Sequence, residues 1–120
     1  MTSSDASVDA LIPLPPATFH ILIALATGEL HGYGIIQDIE SRTGGELRMS
    51  AGTLYRTIQR LVEQGVIVET VPKPAPIFDD ERRRYYRITP FGEAVARGES
   101  ARMSELLRFA KSAGLNPKLA

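Results

Sequence analysis

Cysteine is absent from this chain. Disulfides and thiolate metal sites are thereby excluded, and the composition suits a reducing compartment. Tryptophan is absent as well. Histidine occurs only at His20 and His31, and no cluster of carboxylates joins either one, so no metal site is expected. The longest apolar run, Ile21 to Ala26, is far too short to span a membrane. The first residues lack the basic start and apolar stretch of a signal peptide, so an intracellular, cytoplasmic protein is expected. There is no nucleophile elbow, phosphate-binding loop or pair of catalytic carboxylates. The expectation is therefore a protein that is not an enzyme and takes no cofactor.

Net charge is lacking too. Fourteen Lys and Arg balance fourteen Asp and Glu over 120 residues, a length that suits one domain. A neutral chain has no global attraction for phosphates, but it can bind nucleic acid if its charges are segregated. They are partly segregated. Arg48, Arg56, Arg60, Lys73 and the run from Arg82 to Arg87 lie towards the middle. Much of the acid lies outside, at Asp5, Asp9, Glu29, Asp38, Glu40, Glu93, Glu99 and Glu105, although Asp79, Asp80 and Glu81 adjoin the arginine run.

The most informative stretch is MSAGTLYRTIQRLVEQG, Met49 to Gly65. Leu54, Ile58, Leu61 and Val62 recur at helical spacing and form an apolar stripe. Thr53, Arg56 and Arg60 fall on the opposite side. Ser50 can cap the helix by accepting from the backbone N–H of Gly52 or Thr53. Gly65 is a natural stop. A short capped helix of this kind suits a DNA groove, but the pattern alone favours an ordinary surface helix.

The segments around it narrow the choice. Met1 to Asp9 is small and polar and is expected to fray, and Leu11 to Pro16 reads as an extended lead-in. Residues 1–13 are thus taken as a flexible arm. A first helix from about Ala17 to Ala26 follows, apolar nearly all round, with Phe19, Leu22, Ile23 and Ala26 inward. LHGYGI, Leu30 to Ile35, reads as a tight turn. A second helix from about Tyr33 to Thr43 points Ile35, Ile36 and Ile39 inward and ends at Gly44 and Gly45. Two helices flanking a brief turn make a helix-turn-helix. Val66 to Val71 and Arg82 to Ile88 read as strands with an irregular, proline-containing loop between them. Alternation places Arg84, Tyr86 and Ile88 on one face and Arg83, Tyr85 and Arg87 on the other. The fold class is therefore mainly α with a small β-hairpin: a winged helix-turn-helix over residues 14–88.

Thr89 and Pro90 open a last helix, by capping it and by filling its first turn. It runs to about Ala113, so residues 89–115 form a C-terminal segment. Its stripe comprises Phe91, Val95, Leu106, Phe109, Ala110 and Ala113, with Met103 and Leu107 at its edge. A long amphipathic helix on a small domain needs a partner for that stripe, and homodimerisation supplies one. Glu99 and Arg102 interrupt the stripe, either as a surface pair or as a polar pair that sets the register of an interface.

LHGYGIIQDIESRTGG, MSAGTLYRTIQRLVEQGVI and RRRYYRITPFGEA, in this order and spacing, resemble the PadR family of bacterial transcriptional regulators. The single long final helix resembles its short subgroup. The resemblance implies a homodimer joined through N- and C-terminal helices. It also implies repression at an inverted-repeat operator in double-stranded DNA, relieved in some members by a small, often aromatic, effector. Carried over, the DNA-reading helix opens at Ser50, Gly52, Thr53, Leu54 and Tyr55, and the wing strand is Arg83 to Ile88. On this basis Thr53 and Arg56 reach base edges or nearby phosphates. Arg60, Tyr33, Tyr55, Arg83 and Arg87 are further DNA-contact candidates. Phe19, Met103 and Phe109 are candidates to line an effector chamber between dimer helices. Without tryptophan, a drug-stacking site like that of members with a tryptophan in the dimer helix has no basis. Two other readings remain open on the residues alone: a winged helix used for protein–protein contact, and a protein that is mainly a ligand sensor.

Overall fold

A computed structural model describes residues 3–70 and 84–118. Among the described residues the order is α1 (Ser3–Leu11), α2 (Pro16–Ala26), β1 (Leu30–His31), α3 (Gly32–Arg42), α4 (Ala51–Glu63), β2 (Ile67–Thr70), β3 (Tyr85–Ile88) and α5 (Pro90–Ser112). The architecture is a winged helix-turn-helix with a long terminal helix. The loop from Pro72 to Glu81, and Arg83 with it, lies outside the described residues.

Helix ends follow the local chemistry of the sequence. Pro16 fills the first turn of α2, where no N–H is needed. Ser50 caps α4 by accepting from the Thr53 N–H at 3.2 Å. Gly65, at φ 75°, takes the left-handed conformation just past the end of α4. Thr89 caps α5 by accepting from Gly92 N–H at 2.9 Å.

The core forms where α2, α3, α4 and α5 meet the sheet. Ile21, Leu22 and Leu25 of α2 bury against Ile35 and Ile39 of α3, Leu54, Ile58 and Leu61 of α4, Val66, Ile67, Tyr86 and Val95. The inward face of α2 differs from the expected one. Thr18, Ile21, Leu22, Ala24 and Leu25 are buried, Phe19 and Ile23 are half-buried, and Ala26 is exposed. A helix that is apolar all round carries no phase information, so its packing partners choose the face. Val62 also departs from its expected place, for it is exposed on the side of α4 nearest the sheet.

Among the described residues the sheet has three strands rather than the two of a hairpin, in the order β1-β3-β2, antiparallel throughout. Ile67 pairs with Ile88 and Thr70 with Tyr85, while Leu30 and His31 pair with Tyr86 and Tyr85. Two residues are too few for alternation to announce a strand, and β1 hides inside the glycine-rich turn. His31 serves both structures. It ends β1, and its Nδ1 accepts from Gly34 N–H at 3.1 Å to cap α3.

The N-terminal arm is helical where fraying was expected. Nine residues make a marginal helix in isolation, so its partner supplies the stability. That partner is α5: Val8 lies where a Cβ on Gly98 would come within 3.0 Å, and Leu11 and Ile12 pack against the core. Glu99 fastens the segment that follows. Its carboxylate is buried and accepts from Leu14 N–H at 3.1 Å, from Arg102 Nε at 3.0 Å and from Arg102 Nη2 at 2.7 Å. The Glu99–Arg102 pair thus holds the chain's own N-terminal segment and is not an exposed surface pair.

The Arg102 hydrogen bonds hold the Glu99 carboxyl below its ordinary value; burial opposes them and the Leu14 N–H assists. A lowered carboxyl stabilises the fold above its unfolded value, about 4.3, and that contribution is lost as pH falls through the lower folded value. Glu99→Ala should cost roughly 2–4 kcal/mol, since it strands a buried N–H and leaves a void. Glu99→Gln, which keeps an acceptor for Leu14, should cost less and should flatten the acid limb of a plot of melting temperature against pH. An unchanged acid limb in Glu99→Gln would count against this account.

Candidate nucleic-acid interface

The amphipathic division of α4 organises the candidate site. Leu54, Ile58 and Leu61 are buried. Thr53, Arg56 and Arg60 are exposed on the other side, with Ser50 and Gly52 at the helix start. The polar groups at that start are linked. Ser50 Oγ donates to Thr53 Oγ1 at 3.1 Å, and Arg56 Nη2 donates to the same oxygen at 3.3 Å. Thr57 Oγ1 donates to the Thr53 carbonyl at 2.9 Å. The result is a guanidinium laid back towards the N-terminal turn, with donors left over for a ligand.

Gly52 leaves that turn bare. A Cβ there would meet only Arg56 Nη1, at 3.6 Å, which is ordinary contact. Nothing inside the protomer requires the glycine. Tyr55 has a different setting. Its hydroxyl tip lies against Gly32, so close that a Cβ on Gly32 would collide with it. Tyr55 therefore braces α4 against the start of α3, and its ring is still partly exposed. Tyr33, in the first turn of α3, is 62% exposed. Its ring meets His31 edge-on at 6.5 Å, and His31 stacks on Tyr85 at 5.3 Å between centroids.

Between α4 and the sheet lies an open cleft of about 400 Å³, lined by Tyr55, Ile58, Gln59, Val62, Glu69, Arg84 and Tyr86. Arg84 reaches Glu69 at 3.5 Å, and both are solvent-exposed, so the pair contributes little. Burial pushes the Tyr86 hydroxyl above its ordinary value; Glu69 and Tyr55 add to the shift and Arg84 opposes it. Arg87 is exposed on β3, opposite Val68 of β2. Arg84 and Gln59 were not singled out from the sequence as contact candidates. The alternation that puts Arg84 on the Tyr86 face was the signal available. Arg60 stands further along α4, at a second cleft of about 210 Å³ beside Leu11, Leu14 and Thr18.

The residues assigned to dimerisation and to an effector chamber divide into two groups. Val95 is fully buried, and Phe91 packs half-buried against the core. Both belong to the protomer interior, which corrects their assignment to an interface: the first half of α5 closes the core before the helix projects. Met103, Leu106 and Phe109 are 47%, 58% and 55% exposed, and Ala110 is half-buried beside them. Phe19 packs against the core, whereas Met103 and Phe109 stand on the projecting half of α5. None of these three lines either cleft beside α4. Among the described residues no three potential metal ligands come together, and no helix is long and apolar enough to cross a membrane.

The model of the transcriptional regulator PadR-like family matches residues 21–98. The chain belongs to the PadR-like family of transcriptional regulators. The matched span runs from α2 into α5, so it holds the helix-turn-helix, the sheet and the start of the terminal helix. Transcriptional regulator Rv3488 of Mycobacterium tuberculosis is 38% identical over 89 residues, covering 74% of this chain and 77% of that protein. Among solved structures, a transcriptional regulator from Clostridium thermocellum aligns with a TM-score of 0.68 at 26% identity, covering 80% of this chain and 87% of the other. Bacillus subtilis PadR, solved in complex with operator DNA, aligns with a TM-score of 0.59 at 20% identity, over 70% of this chain and 46% of the other. At that identity the likeness is one of fold. As a PadR-like chain, this protein belongs with regulators of transcription and not with enzymes.

Because the space around Gly52 is open, Gly52→Ala should leave the melting temperature unchanged or raise it, by at most the roughly 0.5–1 kcal/mol that alanine gains over glycine within a helix. A clear fall in thermal unfolding would locate the constraint within the protomer.

Proposed function

We propose that this PadR-like chain is a dimeric, sequence-specific DNA-binding repressor acting on double-stranded DNA in the cytoplasm. One observation carries the reading. The outer face of α4 presents Ser50, Gly52, Thr53 and Arg56 to solvent at the helix start while the opposite face is locked in the core. The N-terminal turn of the second helix of a helix-turn-helix is the part that meets base edges in the major groove. Arg56 is the base reader, through guanine O6 and N7, with Thr53 beside it. Gly52 lets the backbone approach closely. Arg60, Arg87, Arg83 and the hydroxyl of Tyr33 serve phosphates, which position the protein without carrying sequence information, while Tyr55 braces the helix that presents Arg56. The arginines on and beside α4 and β3 supply the local positive field that a neutral net charge does not.

The projecting half of α5 supports the dimer. Met103, Leu106, Leu107 and Phe109 present apolar surface that the protomer does not cover. A second copy, with α1 lying alongside α5, covers it symmetrically. The two recognition helices of such a dimer lie about 34 Å apart, one turn of DNA, and demand an inverted-repeat operator. A small aromatic effector fits the same reading, since Met103 and Phe109 would face a chamber closed by the partner helix.

Gel shifts on the promoter of the protein's own gene, at two salt concentrations, test the central statement; no shift at low salt sinks it. Arg56→Ala should lose roughly 1–3 kcal/mol of discrimination between operator and altered sites. Arg87→Ala should weaken all DNA alike and reduce the salt slope by about one. Equal behaviour of both variants and the parent on operator and random DNA would refute the assignment.

For the dimer, Leu106→Glu combined with Phe109→Glu should convert a species of twice the chain mass to one chain mass in light scattering. Helical content should be kept, because both side chains are exposed. A mass unaffected by the double change would place the interface elsewhere.

A further inference from the structure

We propose that Thr53 governs sequence preference without itself reading a base: it is a positioning residue whose hydroxyl aims the Arg56 guanidinium, so that Ser50, Thr53 and Arg56 act as one unit. The proposal rests on α4 being the DNA-reading helix.

A threonine hydroxyl has one donor and two acceptor lone pairs. Both acceptor positions of Thr53 Oγ1 are engaged within the protein, by Ser50 Oγ at 3.1 Å and by Arg56 Nη2 at 3.3 Å. A base amino group approaching Thr53 would have to displace one of them, which leaves Thr53 only its single O–H to offer a base acceptor, against the several donors of Arg56. Ser50 is itself held in place, because its Oγ accepts the Thr53 N–H as the cap of α4. The relay therefore starts from a backbone group and ends on the guanidinium. Thr53 and Arg56 are three residues apart, neighbours on one helix face, so no distortion is needed to bring them together.

The neighbourhood favours the same arm position. With no side chain at Gly52, the space over the first turn is open, and Arg56 Nη1 lies 3.6 Å from where a Cβ would stand. The guanidinium rests across that turn. One N–H is spent on Thr53, and four others remain for a planar, two-point contact with a base edge. An exposed arginine otherwise samples many rotamers and loses that freedom on binding. Holding it beforehand makes a wrong base more costly, because the fork cannot readily swing to another acceptor.

The experiment uses the full chain. Binding sites are selected from random duplex DNA with the parent, Thr53→Val, Thr53→Ser, Arg56→Ala and the Thr53→Val/Arg56→Ala double variant. Arg56→Ala marks the base pair that Arg56 reads. Thr53→Val should reduce discrimination at that same base pair, by roughly 3- to 10-fold, the worth of one net hydrogen bond. Thr53→Ser should restore it, and the double variant should be no worse than Arg56→Ala alone. In the free protein, nitrogen relaxation of the Arg56 Nε–H should report a more mobile guanidinium in Thr53→Val than in Thr53→Ser.

Loss of preference by Thr53→Val at a different base pair, adding to that of Arg56→Ala, would show Thr53 reading a base itself and would overturn the proposal. So would a Thr53→Val variant that selects the parent's sites with undiminished preference. A parent that selects no sequence at all would instead remove the DNA-reading assignment, and this proposal with it.

Discussion

The arrangement depends on how closely α5 begins against the end of α4. A Cβ on Gly92 would come 2.0 Å from the Val66 carbonyl oxygen, which is backbone and cannot step aside. Thr89 sits at the same junction. Its Oγ1 lies 2.7 Å from the Gly65 carbonyl and 2.9 Å from that of Val66, and it accepts from Gly92 N–H. Its N–H donates to the Val66 carbonyl as well. One threonine and one glycine thus tie the turn after α4, the end of β3 and the first turn of α5 into a single knot. The direction of α5 is set there, and with it the position of α5 relative to α4.

α5 then serves two purposes along its length. Its first turns carry Phe91 and Val95 into the core. Gly98 admits α1, and Glu99 receives the Leu14 N–H. Beyond Arg102 the large apolar side chains Met103, Leu106, Leu107 and Phe109 are exposed. A buried carboxylate is stable where it is fully hydrogen-bonded and paired, as Glu99 is. Its effect is to make the N-terminal segment part of the same rigid piece as α5.

Within the candidate interface, the side chains that looked equivalent in the sequence have different attachments. Tyr55 leans on Gly32 and braces two helices. Arg56 is bound to Thr53, and Thr53 to the cap residue Ser50. Arg84 turns towards Glu69 in the cleft, whereas Arg87 stands exposed on β3. The polar face is therefore a set of groups tied to helix ends and strand positions, not a row of free cations.

The sequence by itself determined the local matters. Ser50, Gly65, Thr89 and Pro90 marked helix ends because capping and left-handed turns depend on neighbouring atoms only. The periodicity of α4 separated Leu54, Ile58 and Leu61 from Thr53 and Arg56, and the order of motifs identified the family. What required long-range packing was not legible. The polar stretch before Pro13 became a helix only because α5 offers Gly98 to Val8. The buried face of α2 was chosen by its partners, since its own pattern is apolar all round. β1 exists because β3 lies beside it. Phe91 and Val95 share one periodic stripe with Leu106 and Phe109, yet the first pair meets the core and the second meets solvent. Periodicity records which residues share a face; only the tertiary structure decides what that face touches.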